Sequence, residues 1–188
     1  MMNKKGFSLI ELLVVVAIIG ILAAVGLLVA QASPAGRAWL CGALNNQELH
    51  PIGWAWFVAL AAMLGSLYFS DVVGFVPCLL CWYQRIAMYP IVFVLGTGLL
   101  RRDPAAWRFA LPLSLLGLVI SLYQVALQYR PSLEIISCGT GASCSTRYVA
   151  VFGFVSIPVM AAAAFLLITA LLFTVRTVKL GNSGEHSV

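Results

Sequence analysis

Long apolar runs separated by short polar breaks dominate the chain. The first extends from Phe7 to Ala30 and holds one charge, Glu11, whereas the second, Ile52 to Phe69, holds none. The third, Phe75 to Leu100, is interrupted only by Arg85, and the fourth and fifth, Phe109 to Leu127 and Tyr148 to Val175, are uncharged. A helix needs about 20 apolar residues to cross roughly 30 Å of hydrocarbon, and each run is long enough or nearly so. Inside a bilayer the backbone must satisfy its own hydrogen bonds, and period-two alternation is absent, so the runs read as helices and not as a barrel. The pattern predicts an all-α membrane protein: a four-helix transmembrane bundle plus one additional N-terminal apolar helix.

The breaks divide the chain. Residues 1–31 form an N-terminal hydrophobic helix, 32–51 a linker, 52–176 the four-helix body, and 177–188 a polar tail with the disorder expected of an unanchored end. Within the body the connections at Ser70–Gly74 and Arg101-Arg102-Asp103-Pro104 are short, and Pro104 ends any continuous helix. A longer connection, Gln128–Arg147, joins runs four and five. Pro112 and Pro158 read as kinks near helix ends.

Composition strengthens this class. The 188 residues are 62% hydrophobic and only 9% charged, too few polar groups to solvate the outside of a soluble domain. The formal charge of +5 sits at the ends of apolar runs, where it meets lipid headgroups and sets topology, and no nucleic-acid partner is expected. Lys and Arg favour the cytoplasmic side. With the body's N-terminus inside, Arg37, Arg101, Arg102, Arg108, Arg176 and Lys179 fall inside and Arg130 and Arg147 outside. Both close cysteine pairs, Cys78 with Cys81 and Cys138 with Cys144, then face outward. Lys4 and Lys5 also favour the inside, and five simple spans cannot satisfy both signals. The body has the larger bias, which leaves run one non-spanning, cleaved, or a fused start.

The chemistry centres on Pro77-Cys78-Leu79-Leu80-Cys81-Trp82-Tyr83-Gln84-Arg85. Residues three apart on a helix lie about 5–6 Å from one another, compatible with disulfide geometry. Pro77 suits a first helical turn, which would place Cys78 and Cys81 in the opening turns of run three. Unpaired backbone N–H groups there favour a thiolate. Arg85, one turn deeper on the same face, costs on the order of 2.5–3.5 kcal/mol at mid-bilayer and is a functional candidate for that reason. It can stabilise a thiolate, hold a ligand carbonyl, or snorkel to the headgroups. The pair itself can be redox-active, a structural staple, or half of a zinc site, although zinc wants four ligands and the remaining donors are His50, His186 and the other cysteines. Cys138-Gly-Thr-Gly-Ala-Ser-Cys144 forms a flexible loop that can close a disulfide and present it to a partner. Two pairs on one face favour thiol–disulfide exchange between them, with no metal. Cys41, on the inner side, reads as a plain reduced thiol.

Two resemblances add to this reading. Lys4-Lys5-Gly6-Phe7-Ser8-Leu9-Ile10-Glu11-Leu12 and the apolar run after it resemble the leader and first helix of type IV prepilins, which implies cleavage between Gly6 and Phe7 and a filament role for Glu11. From about Trp54 to Phe173 the chain resembles the DsbB/BdbC family of bacterial disulfide bond formation proteins, nearest the BdbC branch. The matching residues are Ala62 through Ser70, Pro77-Cys78, Cys81 through Ile86, Met88-Tyr89-Pro90, Cys138 with Cys144, Phe152-Gly153-Phe154 and Ile157-Pro158. That resemblance implies a four-helix protein of the bacterial plasma membrane that reoxidises a thioredoxin-like thiol oxidase on the outer face and passes electrons to quinone, ubiquinone or menaquinone. It implies that Cys138–Cys144 is attacked by the partner, with Cys138 in the mixed disulfide. It further implies that Cys78–Cys81 reoxidises that pair, with Cys81 beside the quinone and Arg85 polarising its ring. The alternative is a pilus-associated structural membrane protein using the prepilin-like segment. The second-pair loop is shorter than in the DsbB branch, and the prepilin-like run has no counterpart in the family.

Overall fold

The computed structural model describes residues 4–44, 49–133, 144 and 156–185. Among these residues there is no strand. Six helices follow in order: α1 (Lys4–Ala32), α2 (Pro34–Ala43), α3 (Leu49–Leu67), α4 (Leu79–Arg101), α5 (Trp107–Tyr129) and α6 (Ile157–Glu185). All but α2 are long and apolar enough to cross a membrane. Cys138, Arg147 and the start of the fifth run, Tyr148 to 155, lie outside the described residues.

Helices α3, α4, α5 and α6 close a ring in which each packs on its sequence neighbour and α6 returns to α3. Short links join α3 to α4 and α4 to α5 and make those successive helices antiparallel. The α4–α5 link shows how local sequence does this. Arg102 takes the left-handed conformation (φ 52°), and the Asp103 amide donates back to the Gly98 carbonyl at 2.8 Å, which stops α4. Asp103 then accepts from the Ala105 amide at 2.8 Å, and Pro104 begins the next turn. Gly98 is required here, because a Cβ on it would collide with the Cβ of Ala106.

Polarity in this bundle is arranged for lipid. On α5 the buried positions are Ala110, Ser114, Gly117, Ser121, Gln124 and Leu127, a helical stripe of mostly small or polar residues. Phe109, Leu116 and Val119 face outward. Small residues let helices approach closely, and polar ones find partners between helices, as the Thr169 hydroxyl does in donating to Ser114 at 3.1 Å. Gly117 lies directly against the ring of Phe165, and the apolar core runs on through Ile91, Leu95, Ile168 and Leu172.

The N-terminal helix is docked along the bundle. Ala17 and Gly20 of α1 lie with Ala164 and Leu167 of α6 around one cavity. Farther on, Gln31 donates to the Ala170 carbonyl at 3.1 Å and to the Thr174 hydroxyl at 2.7 Å. Position numbers rise together on the two helices, so α1 runs parallel to α6 beside the same apolar layer. The first run is thus a helix packed on the bundle, long and apolar enough to cross a membrane. One end of the bundle carries Arg37, Arg101, Arg102, Arg108, Arg176 and Lys179. The other carries Cys78, Cys81 and Arg130, and the direction of α1 brings its start, with Lys4 and Lys5, to that cysteine end. Helix α2 occupies part of the expected linker, its N-cap Ser33 accepting from the Gly36 amide at 3.0 Å. Helix α6 continues to Glu185, through residues expected to form the disordered tail.

Candidate functional site: a buried thiol pair at the mouth of an apolar cavity

Cys78 is the N-cap of α4, not a residue within its opening turns, and Pro77 precedes the helix. The Cys78 sulfur takes the place of the usual capping oxygen and accepts from the Cys81 amide at 3.3 Å. This cap folds the two side chains together, and their sulfurs lie 2.6 Å apart. Cys78 is buried and Cys81 half-buried. The Cys78 thiol is pushed far above its ordinary range, first by its hydrogen bond with Cys81 and then by burial.

A polar chain reaches this pair from the neighbouring helix. Gln124 of α5 directs its side-chain amide at both sulfurs, 3.1 Å from Cys78 and 3.4 Å from Cys81. Its carbonyl accepts from Gln84 of α4 at 2.7 Å. Both glutamines are buried. Gln84 belongs to the stretch the sequence marks but carries no role there, and Gln124 is not marked at all. The available signal was an uncharged amide near the end of an apolar run, at the same depth as the cysteines once the helices are known to be antiparallel.

Arg85 lies one turn below Cys81 and is 9% exposed, so it does not snorkel to the headgroups. Its Nε donates to the Ser66 hydroxyl at 2.9 Å and its Nη2 to the Ser66 carbonyl at 2.8 Å. Trp82 covers it, with the guanidinium carbon 5.2 Å from the ring centroid. Ser66 stands just before a π-helical turn, Tyr68–Val72, that ends α3. Such turns loosen the helical hydrogen-bond ladder and recur at functional sites. A guanidinium has five N–H donors. Ser66 engages Nε and Nη2 of Arg85, and among the described residues Nη1 has no hydrogen-bond partner.

Cys144 is disulfide-bonded and almost fully buried, in a cluster with Cys78, Leu80 and Leu127. Cys41, Cys78 and Cys81 are free thiols. Cys41 lies at the opposite end, beside Arg37 and Arg176. The expected Cys138–Cys144 pairing falls on Cys138, outside the described residues.

Two cavities meet at the thiol pair. A small one of about 60 Å³ is bounded by Cys78, Cys81, Arg85, Gln124 and Ser66. A larger one of about 250 Å³ shares Ser66, Cys81, Arg85 and Gln124 and then extends between α3 and α6 along Val58, Ala62, Ala161 and Phe165. Its polar groups are gathered at one end and the rest is apolar. That arrangement suits a molecule with a hydrogen-bonding head and a hydrophobic tail.

Comparisons with known proteins agree with this geometry. The family model for disulfide bond formation protein DsbB matches residues 50–175, and that for the prokaryotic N-terminal methylation motif matches residues 1–27. Probable disulfide formation protein C 2 of Bacillus cereus is 45% identical over 119 residues, covering 63% of this chain and 86% of its own. Disulfide bond formation protein C of Bacillus subtilis is 46% identical over 115 residues, covering 61% and 83%. Probable disulfide formation protein of Chlamydia caviae is 40% identical over 129 residues, covering 69% and 91%. No solved structure gives a significant match.

Proposed function

The chain belongs to the DsbB family of disulfide bond formation proteins, and we propose that it is a thiol:quinone oxidoreductase that reoxidises a thioredoxin-like thiol oxidase outside the plasma membrane. Its membrane helices and thiol–disulfide chemistry follow from the family. The observation that carries the finer reading is the burial of disulfide-bonded Cys144 in one cluster with the free Cys78, itself beside Cys81 at the mouth of an apolar cavity. Two cysteine redox centres packed together at a hydrophobic cavity support an electron relay.

The steps balance as follows. A thiolate of the partner attacks Cys138 of the Cys138–Cys144 disulfide, forming a mixed disulfide and releasing the Cys144 thiolate. The partner's second thiolate displaces Cys138, leaving the partner oxidised and Cys138 and Cys144 reduced. With Cys78–Cys81 in its disulfide form, the Cys144 thiolate attacks the Cys78 sulfur, its neighbour in the cluster, and expels Cys81 as thiolate. The Gln124 amide, 3.4 Å from Cys81, stabilises that leaving group, and Arg85 borders the same small cavity. Cys138 then resolves the Cys144–Cys78 bond. Cys78 and Cys81 reclose their disulfide by giving up two electrons and two protons, which a quinone held in the cavity would accept. Arg85 would hold a quinone carbonyl and Ser66 holds Arg85.

Orientation belongs to the same proposal. The arginine-rich end lies in the cytoplasm and the cysteine end outside, where a thiol oxidase works. Lys4 and Lys5 oppose this placement, and the larger cluster at the other end outweighs them. The test is quinone reduction by membranes containing the protein, driven by a reduced thioredoxin-like donor. Turnover lost in Cys81→Ser supports the relay, and normal turnover in that variant refutes it.

A second reading rests on the match of residues 1–27: a pilus-associated structural protein processed between Gly6 and Phe7. N-terminal sequencing of the mature chain tests it, and an intact Met1 removes it.

A further inference from the structure

The helix that lies outside the matched family segment also borders the cavity that reaches Cys81. Val16, Ala17 and Gly20 of α1 line it, opposite Ala62 and Met63 of α3. These residues are held in place by more than incidental contact. Ala24 is fully buried, one helical turn beyond Gly20, and small residues at this spacing allow close helix approach. Gln31 anchors the far end through its two bonds to α6, a cost-effective arrangement for an amide in an apolar layer. Gly20 leaves the cavity its width: a Cβ there would already touch Leu167 at 3.6 Å, so a longer side chain must enter the cavity or push α1 away. Val16, 57% exposed, stands at the rim between cavity and lipid.

We propose that α1 forms the lipid-side wall of the acceptor cavity, and that Val16, Ala17 and Gly20 determine which hydrophobic acceptor reaches Cys81. The proposal rests on the quinone reading above. It assigns the N-terminal helix a part in acceptor binding that the family-matched segment, residues 50–175, does not contain. The acceptor's head meets Cys81 and Arg85 and its tail leaves between α1 and α3.

The test uses the full chain in liposomes with an azido-substituted quinone as photoprobe and a short-tailed quinone as acceptor. Label is expected on a peptide containing residues 16–20 as well as on α4, and unmodified quinone should compete for both. Val16→Phe and Gly20→Leu should each raise the KM for quinone about tenfold, the scale of a steric mismatch in an apolar pocket. Val29→Phe, on the lipid-facing side of the same helix, should leave it unchanged. Val16→Phe acts at the rim without entering the α1–α6 contact, so a folding defect in Gly20→Leu does not remove the test. Label on α4 but none on α1, or a KM unchanged in Val16→Phe, overturns the wall and leaves the quinone reading standing. No label anywhere in the cavity, with no quinone reduction by the parent protein, overturns both.

Discussion

Gln124 Nε2 stands 3.1 Å from Cys78 Sγ and 3.4 Å from Cys81 Sγ, so a single amide on α5 serves both sulfurs of a pair on α4. A donor aimed at sulfur stabilises the thiolate over the disulfide, and hydrogen bonds to charged groups are worth about 1.5–3 kcal/mol. Gln124→Leu is therefore expected to make the Cys78–Cys81 potential more negative by on the order of 30 mV or more. Redox titration of the pair in a variant lacking Cys138 and Cys144 measures this. The substitution also strands the Gln84 donor, so Gln84→Leu with Gln124→Leu should recover stability without recovering the potential. A potential unchanged in both would reduce Gln124 to a packing residue.

Arg85→Ala removes the cation that borders both cavities. Loss of one charge-assisted hydrogen bond of about 1.5–3 kcal/mol predicts a KM for quinone raised roughly 10- to 100-fold. Arg85→Lys keeps the charge and loses the fork that spans both oxygens of Ser66, so it should restore affinity only in part. Steady-state quinone reduction at varied quinone concentration checks both variants.

With α1 running parallel to α6, the proposed orientation would put the start of α1 and the end of α6 on opposite sides of the membrane. A reporter at the N-terminus should score on the cysteine side and one at the C-terminus on the arginine side. In sealed right-side-out vesicles Cys41, beside Arg37 and Arg176, should resist an impermeant thiol reagent added from outside, whereas Cys78 and Cys81 should be labelled by it once the pair is reduced. Labelling of Cys41 from outside in intact vesicles would invert the proposed orientation.

Close packing of α5 on α6 depends on Gly117, which lies against the Phe165 ring. Gly117→Ala should cost about 1–3 kcal/mol through overpacking, despite the better helix propensity of alanine. Thermal unfolding of the purified protein in detergent should show a Tm lowered by about 2–4 °C per kcal/mol. An unchanged or higher Tm would mean that the interface opens without cost.

What the sequence by itself determined is the set of elements whose cause is local. Uninterrupted apolar runs dictate membrane helices, because lipid offers the backbone no other partner. Pro104 and Arg102 mark a chain reversal, and the Cys78–Cys81 spacing dictates that two sulfurs share a helix end. Arg85 stands out because a charge in an apolar run is costly enough to demand a use. Pro77 was misplaced by two positions, since whether a residue caps a helix or begins it is decided by backbone angles that the composition of the stretch leaves open. Tertiary structure alone decided everything that depends on which helices meet. Gln124 and Ser66 gained their partners only because α5 and α3 flank α4 at the depth of the thiols, forty-six and twelve residues away from Cys78 along the chain. The course of α1 was likewise undecidable from charge, because Lys4 and Lys5 compete with a larger basic cluster elsewhere. Its docking is set by small residues and one amide, Gln31, whose partners on α6 lie 139 and 143 positions away. Hydropathy reports how deeply a segment lies in lipid. Which segment lies beside it is a matter of shape and hydrogen-bond pairing between faces, and that is written only in the packed bundle.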